Sequence, residues 1–151
     1  MHKETEKAYL CYVRLIERFY LPQSLETSNA YFLVGIYYHE VGIKGNHKSI
    51  ACFKKSLAIR EKIFGCDGDA CCSDCLLNLG LLYKQRGYNS EAEDAFKRAM
   101  KIRSRYVGGD SLSTANVQEE MGKFYLELGM FEESYKYLRD CFETRSHLFK
   151  R

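Results

Sequence analysis

The stretch Leu79-Gly80-Leu81-Leu82-Tyr83-Lys84-Gln85-Arg86-Gly87 decides the reading of this chain, because it occurs three times. It returns as Met121-Gly122-Lys123-Phe124-Tyr125-Leu126-Glu127-Leu128-Gly129, and it stands earlier as Val34-Gly35-Ile36-Tyr37-Tyr38-His39-Glu40-Val41-Gly42. Each copy holds an apolar residue, Gly, two residues, Tyr, three residues and Gly. The leading glycines are 45 and 42 residues apart. A fixed period of this size marks an architecture in which similar supersecondary units stack and bury a shared core.

Working outward, Phe96-Lys97-Arg98-Ala99-Met100-Lys101-Ile102-Arg103 matches Phe53-Lys54-Lys55-Ser56-Leu57-Ala58-Ile59-Arg60, and Leu138 to Arg145 is a looser third copy. Tyr9 and Leu15 fall where Phe96 and Ile102 do, so the chain opens on the second helix of an incomplete repeat. Over 91–106, Ala92, Ala95, Phe96, Ala99, Ile102 and Tyr106 keep the i, i+3, i+4, i+7 spacing of one helix face, with charges largely on the other. Ser90, with Glu93 three residues on, reads as an N-cap and capping box. Gly42, Gly87 and Gly129 read as left-handed C-caps. The pattern predicts seven helices, at about 3–20, 26–41, 47–64, 72–86, 90–107, 112–128 and 131–149. Gly35, Gly80 and Gly122 then lie in mid-helix, at a cost of up to ~1 kcal/mol against alanine. Close approach of the paired helix is the expected reason. Tyr38, Tyr83 and Tyr125 are expected to fill the space between hairpins.

The resulting pattern, Gly-x-x-Tyr-x-x-x-Gly-x-x-x-x-Ala-x-x-x-Phe-x-x-Ala, resembles the tetratricopeptide repeat (TPR). The middle copy carries it in full, through Gly80, Tyr83, Gly87, Ala92, Phe96 and Ala99. The Leu76-Leu77-Asn78-Leu79-Gly80 lead-in, the Ala58-Ile59-Arg60-Glu61-Lys62-Ile63-Phe64-Gly65 tail and the loops holding Asp67 and Asp110 are similar to the kinesin light chain type. The chain departs from the pattern at the extra residues around Gly42-Ile43-Lys44-Gly45-Asn46, and at Ser134 and Leu138, which replace Ala and Phe in the third copy. The resemblance implies an all-α fold, a right-handed superhelix of antiparallel helical hairpins. The expected organisation is a single domain over 1–151, with an orphan second helix at 1–22 and repeats at 24–65, 70–108 and 111–149.

Composition bounds the function classes. The 151 residues include 23 Lys and Arg interspersed with 20 Asp and Glu, a net charge of +3, which does not point to nucleic acid. One proline, Pro22, leaves long helices uninterrupted. No apolar run approaches the roughly 18–20 residues of a membrane span, and Met1-His2-Lys3-Glu4 is not followed by the apolar stretch of a secretory signal. Seven cysteines without such a signal read as free thiols in a reducing compartment. Cytoplasmic location follows as an expectation, with the cytoskeleton or cilium brought in by the resemblance. No Gly-rich phosphate loop, nucleophile elbow or paired-histidine motif is present, so no enzymatic activity is expected.

Stacked hairpins leave a long preformed surface rather than an enclosed pocket, and the resemblance implies a concave groove, lined by first helices, that takes a peptide of a partner protein. Candidate groove residues are Asn29, Leu33, Ile36, His39 and Glu40 in the first repeat. The second offers Asp74, Asn78, Leu81, Lys84 and Gln85, and the third Asn116, Glu120, Lys123, Leu126 and Glu127. Asn78 leads this set, since an amide both donates to and accepts from a main chain. Lys84 and Lys123 alone are too few to clamp a terminal carboxylate. Cys66, Cys71, Cys72 and Cys75 lie within ten residues, but lack the two separated pairs of a zinc site and read as packing or loop cysteines. No metal or cofactor is expected. Lys97, Arg98, Lys101, Arg103 and Arg105 read as a solvated outer face. At the ends, Tyr135, Leu138, Phe142 and Leu148 form an apolar pattern on the last helix. Two readings stand: a segment of a longer repeat protein, or a homodimer through the terminal helices, which would make the chain a structural assembly module.

Overall fold

The computed structural model describes residues 2–42, 45–66, 68–107, 109 and 111–150. Ile43, Lys44, Asp67 and Asp110, named above in the loops, lie outside the described residues. All regular structure within them is helical. The chain groups into two compact units, 1–68 and 69–151.

The first unit holds α1 (His2–Phe19), α2 (Leu25–Glu40) and α3 (Asn46–Phe64). The second holds α4 (Ala70–Gln85), α5 (Asn89–Tyr106), α6 (Leu112–Glu127) and α7 (Phe131–Phe149). Each observed boundary is within two residues of its sequence-based position. Pairing runs α2 with α3, α4 with α5 and α6 with α7, while α1 packs on α2 and α5 on α6. The hairpins are antiparallel. Ser28, early in α2, meets Ser56, late in α3, and Gly35, late in α2, meets Ser49, early in α3.

The mid-helix glycines sit where the hairpin partners press together. A Cβ on Gly35 would lie 2.9 Å from the Phe53 ring, and one on Gly80 would lie 2.6 Å from the Phe96 ring. At Gly122 the neighbour is the Leu138 side chain, also at 2.6 Å. Both Phe53 and Phe96 are fully buried. The glycine cost in helix propensity is therefore offset by a ring packed directly on backbone. The departure at Ser134 has a local reason too. Its hydroxyl donates to the Gly122 carbonyl at 2.8 Å, as Ser49 does to Gly35 in the first hairpin.

Gly87 and Gly129 have φ of +75° and +74°, and their turns close with the paired hydrogen bonds of a Schellman motif. Tyr88 N–H donates to Tyr83 and Gly87 N–H to Lys84, and Met130 and Gly129 repeat the arrangement on Tyr125 and Leu126. These turns carry the chain straight into the next helix, which corrects the expected cap at Ser90. The N-cap position of α5 is Tyr88, with no side-chain cap bond, and Ser90 already lies inside the helix. Side-chain caps occur instead where longer connections leave an extended residue. Ser24, Asp69 and Ser111 accept from the N–H groups of Thr27, Cys71 and Thr114.

Candidate functional site

The polar first-helix residues proposed from sequence divide into those held by their own hairpin and those facing outward. In the first hairpin the Arg60 guanidinium, only 4% exposed, donates through Nε to Ser28 Oγ at 2.8 Å and through Nη2 to Asn29 Oδ1 at 3.0 Å. It also lies over the Phe32 ring, 5.1 Å from its centroid. In the second hairpin Arg103, 5% exposed, repeats the arrangement: Nε donates to Ser73 Oγ at 2.9 Å and Nη2 to Asp74 Oδ1 at 2.6 Å. Its Nη1 reaches the Ser113 carbonyl at the start of α6, tying two hairpins together. Sequence reasoning missed this device. Arg103 does not belong to a solvated outer face, because it is turned inward and its donors are consumed by α4 and α6. The signal was present: Arg60 and Arg103 share a register in the repeat, as do Ser28 and Ser73.

The third hairpin has Ala115 at the serine position. Lacking that hydroxyl, Arg145 stays half exposed and donates to Glu119 at 2.5 Å and to Asn116 Oδ1 at 3.3 Å. Asn29, Asp74 and Asn116 thus occupy one repeat position and all accept from the arginine of the paired helix. Their oxygens orient that arginine before any ligand arrives.

Asn78 is half-buried, and its Nδ2 donates to the Asp74 carbonyl one turn back at 2.8 Å. Further along α4, Lys84 pairs with Glu127 of α6 at 3.0 Å. Lys123 is held by Glu119 at 2.8 Å and Glu120 at 3.0 Å. The α4/α6 surface therefore has its cations already neutralised, which agrees with the sequence argument against a carboxylate clamp. Leu126 is exposed and Leu81 half-buried on the same helices. In the first unit, exposed Leu33 lines a shallow apolar pocket of about 220 Å³ with Ala8, Tyr9 and Tyr12 of α1. Ile36 and His39 are half-buried, and Gln85 is exposed.

The interhelical tyrosines are anchored by carboxylates. Tyr38 donates to Glu6 of α1 at 2.8 Å, and Tyr125 donates to Glu93 of α5 at 2.8 Å. Burial, reinforced by the Glu6 carboxylate, pushes the Tyr38 phenol up to about 12, and the same two causes raise Tyr125 further. The carboxylates move the opposite way. Hydrogen bonds from Lys48 and then Tyr38 hold Glu6 below its usual range, and Lys97 and then Tyr125 do so for Glu93. These bonds join each first helix to the second helix before it, and they serve packing rather than chemistry.

Cys72 and Cys75 are fully buried in the core of the second unit, Cys71 is half-buried and Cys66 exposed. Burial explains the first two as small apolar fillers. No helix is long and apolar enough to cross a membrane.

Repeated hairpins with a Gly-on-Phe contact, a Schellman turn and an interhairpin tyrosine define a class of helical repeat protein. The tetratricopeptide repeat model matches residues 44–103 and 72–147, and this chain belongs to that family. No curated protein matches its sequence. In fold it is similar to BtubC (BKLC) from P. vanneervenii, with a TM-score of 0.87 at 14% identity over 99% of this chain. The chain spans 59% of the BtubC chain. It is also similar to a kinesin light chain protein of Podosopora anserina with nearly identical TPR-like repeats, at TM-score 0.76 and 14% identity, covering 97% of this chain and 68% of that one. A third neighbour is MamA, at TM-score 0.66 and 18% identity, covering 99% and 88%. The repeats are thus kinesin light chain-like in fold, and the fold is consistent with a protein-interaction scaffold.

Proposed function

We propose that this chain is a non-catalytic adaptor that binds a peptide segment of a partner protein on its first helices, within one TPR domain. The observation that carries the reading is the α4/α6 surface. Asn78 is half-buried there, with its amide held in place by the helix backbone, beside the Lys84–Glu127 pair and the Leu81 and Leu126 side chains. A fixed amide next to apolar contacts recognises a main chain at little entropic cost. The mixed charge favours a peptide over a phosphate backbone. In the first unit, Leu33, Ile36 and His39 offer an apolar contact of the same kind on α2.

Asn29, Asp74 and Asn116 have a different part in this reading. Held by Arg60, Arg103 and Arg145, they shape the surface rather than supply free hydrogen-bonding groups. Capture of interacting proteins by the wild-type chain, compared with Asn78→Ala plus Lys84→Ala, tests the proposal. The double variant is expected to lose peptide-mediated partners at least tenfold. Undiminished capture of every partner would move binding off this surface.

A further inference from the structure

The outer face of α7 differs from that of every other helix in the second unit. Phe131, Tyr135, Phe142 and Phe149 lie along it at i, i+4, i+11 and i+18, and they are 69%, 69%, 70% and 86% exposed. A single exposed apolar residue needs no explanation, whereas a continuous aromatic stripe does. Leu148, grouped with this pattern in sequence, is half-buried on another side, and Phe149 takes its place.

The repeat supplies a standard of comparison. On α1 and α5, the face that receives the next first helix carries a glutamate, Glu6 or Glu93, that accepts from that helix's tyrosine. The corresponding position on α7 is Tyr135, which cannot take that part. The face has the location of a repeat junction but not its chemistry.

We propose that α7 is a self-association surface on which two copies of this chain pair antiparallel. Beside the aromatic stripe runs an exposed row, Glu132, Arg139, Glu143 and Lys150, with signs minus, plus, minus, plus. Reversing the row inverts every sign. An antiparallel copy therefore sets Glu132 against Lys150 of the second copy and Arg139 against its Glu143, whereas a parallel copy sets like charge on like charge. The same register brings Phe131 over Phe149 and Leu138 over Phe142. The matching row on α5, which α6 covers, begins Ser90, Lys97, Lys101 and has no such symmetry. An aromatic side chain buries roughly 150–250 Å². Covering four on each copy removes on the order of 1,000 Å² in all, near the lower edge of a specific interface. This inference is independent of the peptide-binding surface.

Light scattering on sized fractions, across concentrations up to about 1 mM, tests it, with circular dichroism to confirm that each variant is folded. A concentration-dependent dimer is expected. Phe142→Glu and the more conservative Tyr135→Glu should each weaken it at least about tenfold, and Leu15→Glu on α1 should leave it intact. Arg139→Glu should weaken dimerisation, and Arg139→Glu with Glu143→Arg should restore it, since the swap keeps the row complementary on reversal. A monomer at all concentrations would overturn the proposal. So would a dimer that survives both aromatic substitutions, one lost through Leu15→Glu alone, or failure of the double charge swap to rescue.

Discussion

The α4/α5 and α6/α7 hairpins lie in the same unit, share a sequence pattern and have the same backbone plan, yet they are filled differently. In the first, a fully buried Phe96 ring presses on Gly80, and Arg103 is sealed between Ser73, Asp74 and the Ser113 carbonyl. In the second, the partially exposed Leu138 presses on Gly122, and Arg145 lies half open beside Glu119. The outer side of α5 is covered by α6, while that of α7 shows its aromatic residues. The repeat backbone thus needs a glycine at the crossing and an arginine reaching back across the hairpin. How deeply each is buried depends on what covers the second helix.

The largest expected contrast concerns the arginines. Arg103→Met removes donors from a buried hydroxyl and a main-chain carbonyl, and should cost about 2–3 kcal/mol. Arg145→Met breaks a solvent-screened pair and should cost less than about 1 kcal/mol. Urea denaturation of the two variants measures both, and equal losses would show that the two hairpins are equivalent after all. A smaller contrast is expected at the glycines. Gly80→Ala forces a methyl against a ring with nowhere to go, at about 1–2 kcal/mol after the gain in helix propensity. Gly122→Ala meets the far end of a partly exposed leucine that can turn aside, so its change should stay within about 1 kcal/mol.

The smallest effect is on pH dependence. Glu93, held low by Lys97 and Tyr125, and Glu119, held low by Lys123 and Arg145, have folded pKa values below their unfolded ones. Their contribution is present above the unfolded carboxylate range and fades as the pH falls through the folded values. Acid titration of the thermal midpoint should therefore show a modest loss below about pH 4.5. Glu93→Gln and Glu119→Gln should each flatten it, by well under 1 kcal/mol after solvent screening. A loss that persists unchanged in both variants would place the acid sensitivity elsewhere.

Most of the fold was legible because the features that carry it are local or periodic. The spacing of Gly80, Tyr83 and Gly87 fixes a helix, its close crossing and its end within eight residues, and two further copies make coincidence untenable. The cap of α5 was misread because Ser90-Glu91-Ala92-Glu93 satisfies a capping pattern, while the Schellman turn at Gly87 had already delivered the chain into the helix. The inward arginines were misread because a Lys- and Arg-rich second helix looks like a solvated face. Helical periodicity sorts residues by side, and Arg103 lies at the margin of the buried side, where only the serine opposite decides its direction.

The sequence by itself determined the helices, their pairing and the reason for each mid-helix glycine, since all of these follow from the 3.6-residue period and the steric demands of a residue without Cβ. It also placed Asn78, Lys84 and Lys123 on first helices. The tertiary structure alone decided which polar groups are already spoken for. Asn29, Asp74 and Asn116 look alike in sequence to any free surface amide or acid, yet each is held by an arginine some thirty residues away. It also decided that the aromatic residues of α7 face outward together. Hydrogen-bond satisfaction and coverage depend on what packs against a residue, and that is a property of the folded neighbourhood rather than of the segment.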